Sequence, residues 1–159
     1  MKINGTTKII LSIILCFIIA GIGGYATQSS VGTWYIELNK PSFNPPNWIF
    51  GPVWTLLYIM MGLSAGLVWK KGLENPLVKK GLLIYLVQLG LNLSWSVVFF
   101  GNQEIFGALL VILALLFMII MNILFFLKVN RIAGYLLVPY LFWVLFASFL
   151  NYEIWQLNA

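Results

Sequence analysis

Histidine is absent from this sequence, which removes the commonest general base, the commonest metal ligand and the usual axial ligand of haem together. Cysteine occurs once, as Cys16 within an apolar run, so the chain cannot close a disulfide, build a zinc site or form a Cys-x-x-Cys redox pair. Charge is scarce as well. Only 8% of the 159 residues are charged, too few to keep a water-soluble domain of this length dispersed. The four carboxylates, Glu37, Glu74, Glu104 and Glu153, fall in loops or at the ends of apolar runs, so no paired acid–base site is visible. No apolar run carries a charge at its middle, where insertion costs roughly 2.5–3.5 kcal/mol and where proton-coupled pumps tolerate that cost. Together with an odd number of spans and no internal repeat, this argues against an alternating-access transporter. The net charge of +5 sits at the ends of apolar runs and forms no basic stripe, which argues against a nucleic-acid partner. No metal and no cofactor is expected.

What is present is hydrocarbon-compatible surface. Hydrophobic residues make up 62% of the chain. A helix crossing a bilayer core needs about 20 mostly apolar residues. Segments 9–26, 48–69, 81–103, 105–127 and 132–152 meet that requirement. Punctuation separates them: Glu74-Asn75-Pro76, Gly101-Asn102-Gln103 and Asn130-Arg131. Only residues 27–47 form a longer connection, with Trp34-Tyr35 able to start a short interfacial helix before Pro41, Pro45 and Pro46. Pro46 stands just ahead of the second span, where its missing N–H is harmless. The expected fold is an all-α membrane protein, a single bundle of five transmembrane helices with a long first loop.

Cation placement orients the bundle. Five spans put Lys2, Lys8, Lys70, Lys71, Lys79, Lys80, Lys128 and Arg131 on one side and leave only Lys40 on the other. The positive-inside rule then places the N-terminus in the cytoplasm and the C-terminus outside. A competing reading takes Lys2, Lys8, the apolar run and Gly24-Tyr25-Ala26 as a secretory signal, whose removal would leave four spans.

Within the third span Gln88, Asn92 and Ser96 share one helical face, with Trp95 beside it. Amides facing lipid are costly, so this face is expected to point into the bundle. It serves either interhelical hydrogen bonding or the polar anchoring of a ligand. Trp48, Trp69 and Trp155 lie near span ends, as interfacial anchors do, whereas Trp54, Trp95 and Trp143 lie within spans. Beside Tyr58 and Asn92, those three indoles suit either core packing or a cavity for a planar conjugated ligand. Gly62-Leu63-Ser64-Ala65-Gly66 permits close helix approach within the bundle, and Gly90 with Ser94 offers a comparable pair for a homodimer through the third span.

Three stretches carry a family resemblance: WYIELNKPSFNPPNWIFGPVWTLLYIMMG (34–62), QLGLNLSWSVVFFG (88–101) and VPYLFWVLFASFLNY (138–152). In order and spacing they closely resemble the TspO/MBR family of tryptophan-rich sensory proteins and translocator proteins. The resemblance implies a five-helix bundle, often dimeric, in a bacterial cell membrane, with a cavity closed by the first loop. It implies binding of porphyrins such as protoporphyrin IX and of similar planar hydrophobic ligands, in a sensing or regulatory role. The matching pocket positions are Tyr35, Pro45, Trp54, Tyr58, Asn92, Trp95, Trp143, Ala147 and Leu150. A second implied activity is light- and oxygen-dependent porphyrin breakdown, with Trp54 and Trp143 as its tryptophans; a third is translocation of porphyrin or sterol. Phe43 stands where many members have tryptophan, and Val111 where some have an acidic residue. Tyr152 is followed by Glu153-Ile154-Trp155-Gln156 without a cation, which argues against cholesterol binding through the animal sterol motif.

Overall fold

The structure is a computed structural model, and it describes residues 3–159. Lys2, one of the cations used above for orientation, lies outside the described residues. Among those residues, five helices are long and apolar enough to cross a membrane. Helix α1 spans Gly5–Val31, and after the single turn α2 (Trp34–Glu37) comes α3, Asn47–Trp69. Helix α4 covers Pro76–Ser96 and runs on through one wide turn of π geometry, Val97–Gly101. Helix α5 spans Ile105–Val129. The fifth crossing is built from α6 (Arg131–Leu136) and α7 (Val138–Asn158), the latter with a proline in its first turn.

Asparagine side chains start three of these helices. Asn4 accepts from Thr7 N at 2.8 Å, Asn75 from Leu77 N at 2.9 Å, and Asn130 from Ile132 N at 3.0 Å. Each satisfies an amide that the helix itself leaves free. The first connection is shorter than the 27–47 expected from hydropathy, because α1 continues to Val31. Its last turns are polar but self-satisfied: Thr27 donates to Gly23 O at 2.9 Å and Ser29 to Ala26 O at 2.7 Å. The helix therefore outlasts the apolar run. The same reasoning moves the start of the third span back to Pro76, where Asn75 caps it and proline occupies the first turn.

Helices α1 and α3 make the closest approach. A Cβ on Gly62 would lie 2.5 Å from Ile13 Cα, and one on Gly66 would lie 2.5 Å from Ile9 Cα. The GxxxG pair is thus used inside the bundle, where small residues let backbones touch and dispersion contacts accumulate. Lys8 fastens the end of this contact by donating to Trp69 O at 3.3 Å.

Other helix pairs are joined by single buried hydrogen bonds. Ser64 of α3 donates to Ala133 O of α6 at 2.7 Å, and Asn122 of α5 donates to Gly81 O of α4 at 3.0 Å. Cys16 Sγ and the Tyr85 hydroxyl, 2.9 Å apart, link α1 to α4. The expected inward turn of the third-span polar face holds for Gln88 and Asn92, both buried.

Substituting Gly62 or Gly66 by valine is expected to destabilise the bundle by about 1–3 kcal/mol, since each new side chain meets backbone. Gly90→Ala, with nothing within 4 Å of the added carbon, should change stability by less than about 1 kcal/mol and in the favourable direction. Denaturant-induced unfolding in detergent, followed by tryptophan emission, measures both.

Candidate ligand-binding site

Beyond the glycine contact α1 and α3 part. Cβ atoms added at Gly21, Gly24 or Gly51 would meet nothing within 4 Å, in contrast to Gly62 and Gly66 on the same two helices. The space between them, closed at the back by the wide turn after α4 and by α7, is a cavity of about 800 Å³. That volume lies within the range of sites that enclose small organic ligands.

Three of its walls are aromatic. On α3, Trp54 packs 5.5 Å from Tyr58 with the rings 31° apart, and edge-on to Tyr140 at 6.2 Å. On α4, Trp95 stacks over Phe99 at 5.4 Å. The π turn that follows contributes both Phe99 and Phe100 to the cavity wall. Its extra residue is stabilised by Asn102 N donating to Val97 O at 2.8 Å. The fourth wall is thin. Ala20, Gly23, Gly24 and Thr27 of α1 follow one another at helical spacing and leave a low, smooth surface. Thr27 and, on α3, Thr55 donate to carbonyls of their own helices, so neither hydroxyl hydrogen is free to face the space.

Tyr35 of α2 closes one rim. It is buried, donates to Asn44 Oδ1 at 3.1 Å, and lies 4.8 Å from the Lys40 ammonium. Burial pushes the phenol above its usual pKa, which keeps it protonated as a donor. Lys40 also donates to Tyr35 O at 2.6 Å and Leu38 O at 2.9 Å, satisfying the carbonyl end of α2. Farther along, Asn158 exchanges two hydrogen bonds with the backbone of Asn39 and ties this connection to the end of α7.

Six residues expected at a pocket line this cavity together: Tyr35, Trp54, Tyr58, Trp95, Ala147 and Leu150. Three do not reach its wall. Pro45 sits in the connection before α3, where its carbonyl accepts from Asn44. Asn92 is one layer deeper, held between the hydroxyls of Tyr58 (2.7 Å) and Tyr140 (3.1 Å). Trp143 packs edge-on against Phe50 at 5.9 Å and beside Phe146, with its buried N–H unpartnered. Residue identity alone does not reveal which way a helix is turned, and α7 presents Ala147, Leu150 and Asn151 to the cavity instead.

The contributions of α1, Phe99, Phe100 and Asn151 were not anticipated. The small-residue spacing Ala20, Gly23, Gly24, Thr27 was the available signal for α1. Asn151 is the most consequential of these. It accepts from the Trp95 indole N–H at 3.0 Å and donates to Ile105 O at 3.0 Å, so it fixes the ring that forms one wall.

With this geometry in hand, the chain can be set beside known proteins. The model of the TspO/MBR family matches residues 12–156. The tryptophan-rich protein TspO of Archaeoglobus fulgidus is 43% identical over 152 residues, covering 96% of this chain and 97% of its own length. The protein of the same name from Chlorobaculum tepidum is 44% identical over 148 residues, 93% of this chain and 94% of that one. The human translocator protein is 40% identical over 128 residues, 79% of this chain and 75% of its own.

Replacing Asn151 by leucine is expected to unmoor Trp95. In a double-mutant cycle with Trp95→Phe, measured by unfolding in detergent, the coupling should be about 0.6 kcal/mol and no more than about 1.7 kcal/mol, the average and the maximum for hydrogen bonds between membrane helices. A coupling of zero would mean that the ring is held by packing alone.

Proposed function

The chain belongs to the TspO/MBR family, and from that premise we propose that it is a membrane-embedded binding protein for porphyrins and similar planar hydrophobic ligands, acting as a tetrapyrrole sensor or regulator. The observation that carries this reading is the shape and chemistry of the cavity. About 800 Å³ lies between α1 and α3, lined by aromatic rings of α3, α4 and the π turn and by small residues of α1. A flat conjugated ligand gains there because aromatic rings and small residues can pack against it. Trp54, Tyr58 and Trp95 are assigned to stacking, Tyr35 to the rim, and Ala147 and Leu150 to the rear wall. Asn92 acts from behind Tyr58, and Pro45 shapes the connection that carries Tyr35.

Orientation follows from the cations. Lys8 is bonded to the last turn of α3, beside Lys70 and Lys71, so the ends rich in positive charge lie together. We place them in the cytoplasm and the cavity end, with the C-terminus, outside, in the cell membrane of a bacterium. The outward-facing Gly90 and Ser94 of α4 are the surface proposed for pairing of two copies.

A second reading, light- and oxygen-dependent breakdown of porphyrin, draws support from Trp54 on the cavity wall and from Trp143 directly behind Phe50. The chain offers no other catalytic group, so the photochemistry would belong to the pigment.

Protoporphyrin IX is expected to quench the tryptophan emission of the detergent-solubilised protein saturably. Trp54→Ala should weaken binding roughly three- to tenfold, the worth of one aromatic contact. Under illumination in air, the bound pigment should keep its absorption spectrum. A new spectrum that forms with the intact protein and disappears in the Trp54→Phe/Trp143→Phe double variant would assign catalysis instead.

A further inference from the structure

A file of buried hydrogen bonds begins at the cavity wall and ends on a group with no partner. Tyr58, which lines the cavity, donates to Asn92 Oδ1 at 2.7 Å. Asn92 Nδ2 donates to the Tyr140 hydroxyl at 3.1 Å, and Tyr140 donates to Gln88 Oε1 at 2.9 Å. Gln88 has no exposed surface, and its Nε2 meets no acceptor. An amide donor stranded in the interior is a rare and unfavourable state, whereas a carbonyl with an unused lone pair is tolerated more often.

The two ends of a side-chain amide are nearly the same size, so a half-turn exchanges donor and acceptor without moving the helices. Turning Gln88 alone does not suffice. Its Nε2 would then donate to the Tyr140 oxygen, and the Tyr140 hydrogen would lose its acceptor. Asn92 must turn too, offering Oδ1 to Tyr140 and Nδ2 to the Tyr58 oxygen. Each hydrogen has then moved one step toward the cavity. The last of them, on Tyr58, has no acceptor left in the protein file.

We infer that Tyr58 presents a hydrogen-bond donor to the cavity, so that the site selects ligands carrying an acceptor (a carbonyl, carboxylate or ring nitrogen) on the edge that meets α3, over ligands carrying N–H or O–H there. This rests on the planar-ligand reading above. A ligand that donates at that edge holds the file in the opposite direction and leaves Gln88 Nε2 stranded. Tyr140 and Gln88 do not line the cavity, so they act as positioning residues, setting the polarity of Tyr58 from a distance.

Fluorenone, fluorene and carbazole are flat tricycles of similar size that offer an acceptor, neither, and a donor respectively. Titrated against the wild-type protein by tryptophan quenching, fluorenone is expected to bind roughly tenfold more tightly than carbazole, with fluorene between them. The carbonyl stretch of bound fluorenone should lie below its value in hexane. Tyr58→Phe should remove both the preference and the infrared shift, and its cooperative unfolding in detergent certifies the fold. Tyr140→Phe should narrow the preference, because it cuts Asn92 off from Gln88. Gln88→Leu should keep the preference, since Tyr140 then has only Asn92 to donate to. Equal binding of the three tricycles, or a preference untouched by Tyr140→Phe, would overturn the assignment and leave the planar-ligand reading intact. Failure of fluorene and protoporphyrin IX alike would overturn both.

Discussion

Hydrocarbon offers an amide or hydroxyl no hydrogen-bond partner, so every polar side chain in these spans has to find one inside the bundle. Some bond a carbonyl of their own helix, and others join helices. Ser64 reaches a carbonyl on α6, Asn122 one on α4, and Asn151 links the indole of α4 to the start of α5. The file from Tyr58 through Asn92 and Tyr140 to Gln88 crosses α3, α4 and α7. Each bond is worth little by itself, on average about 0.6 kcal/mol in membrane proteins. Their direction matters more, because a misturned helix would leave its polar group in lipid.

Where polar bonds set rotation, glycines set distance. Gly62 and Gly66 bring α1 onto α3 until backbone meets backbone. Farther along the same two helices, Gly21, Gly24 and Gly51 have no neighbour to touch, and the gap persists as the cavity. One residue type thus produces close packing at one end and open space at the other, according to whether the partner helix is near. The π turn after Ser96 adds the third element. It contributes Phe99 and Phe100 to the cavity, at the level where α1 and α3 have separated.

Part of the cavity lining was legible in the sequence. Buried amides in an apolar span have to face inward, which located Gln88 and Asn92, and the resemblance in segments 34–62, 88–101 and 138–152 placed six residues that do line the cavity. Trp143 shows the limit. An indole in the middle of a span is compatible with cavity, core or lipid, and its packing on Phe50 and Phe146 depends on the turn of α7 about its own axis. The share taken by α1 escaped for a related reason. Its small residues present almost no side chain, and their contribution is space.

Taken alone, the sequence determined that this chain resides in a membrane, that it holds five segments long and apolar enough to cross it, and that its amides turn inward. Those properties follow from transfer free energies that add residue by residue along one segment, so they need no knowledge of neighbours. The tertiary structure decided which faces of α1, α3, α4 and α7 enclose a hollow, and that Asn92 and Trp143 stand behind its wall. Enclosure depends on how far apart helices stand and how each is rotated. Both are fixed by contacts between residues distant in the chain, such as Gly62 with Ile13 and Trp95 with Asn151.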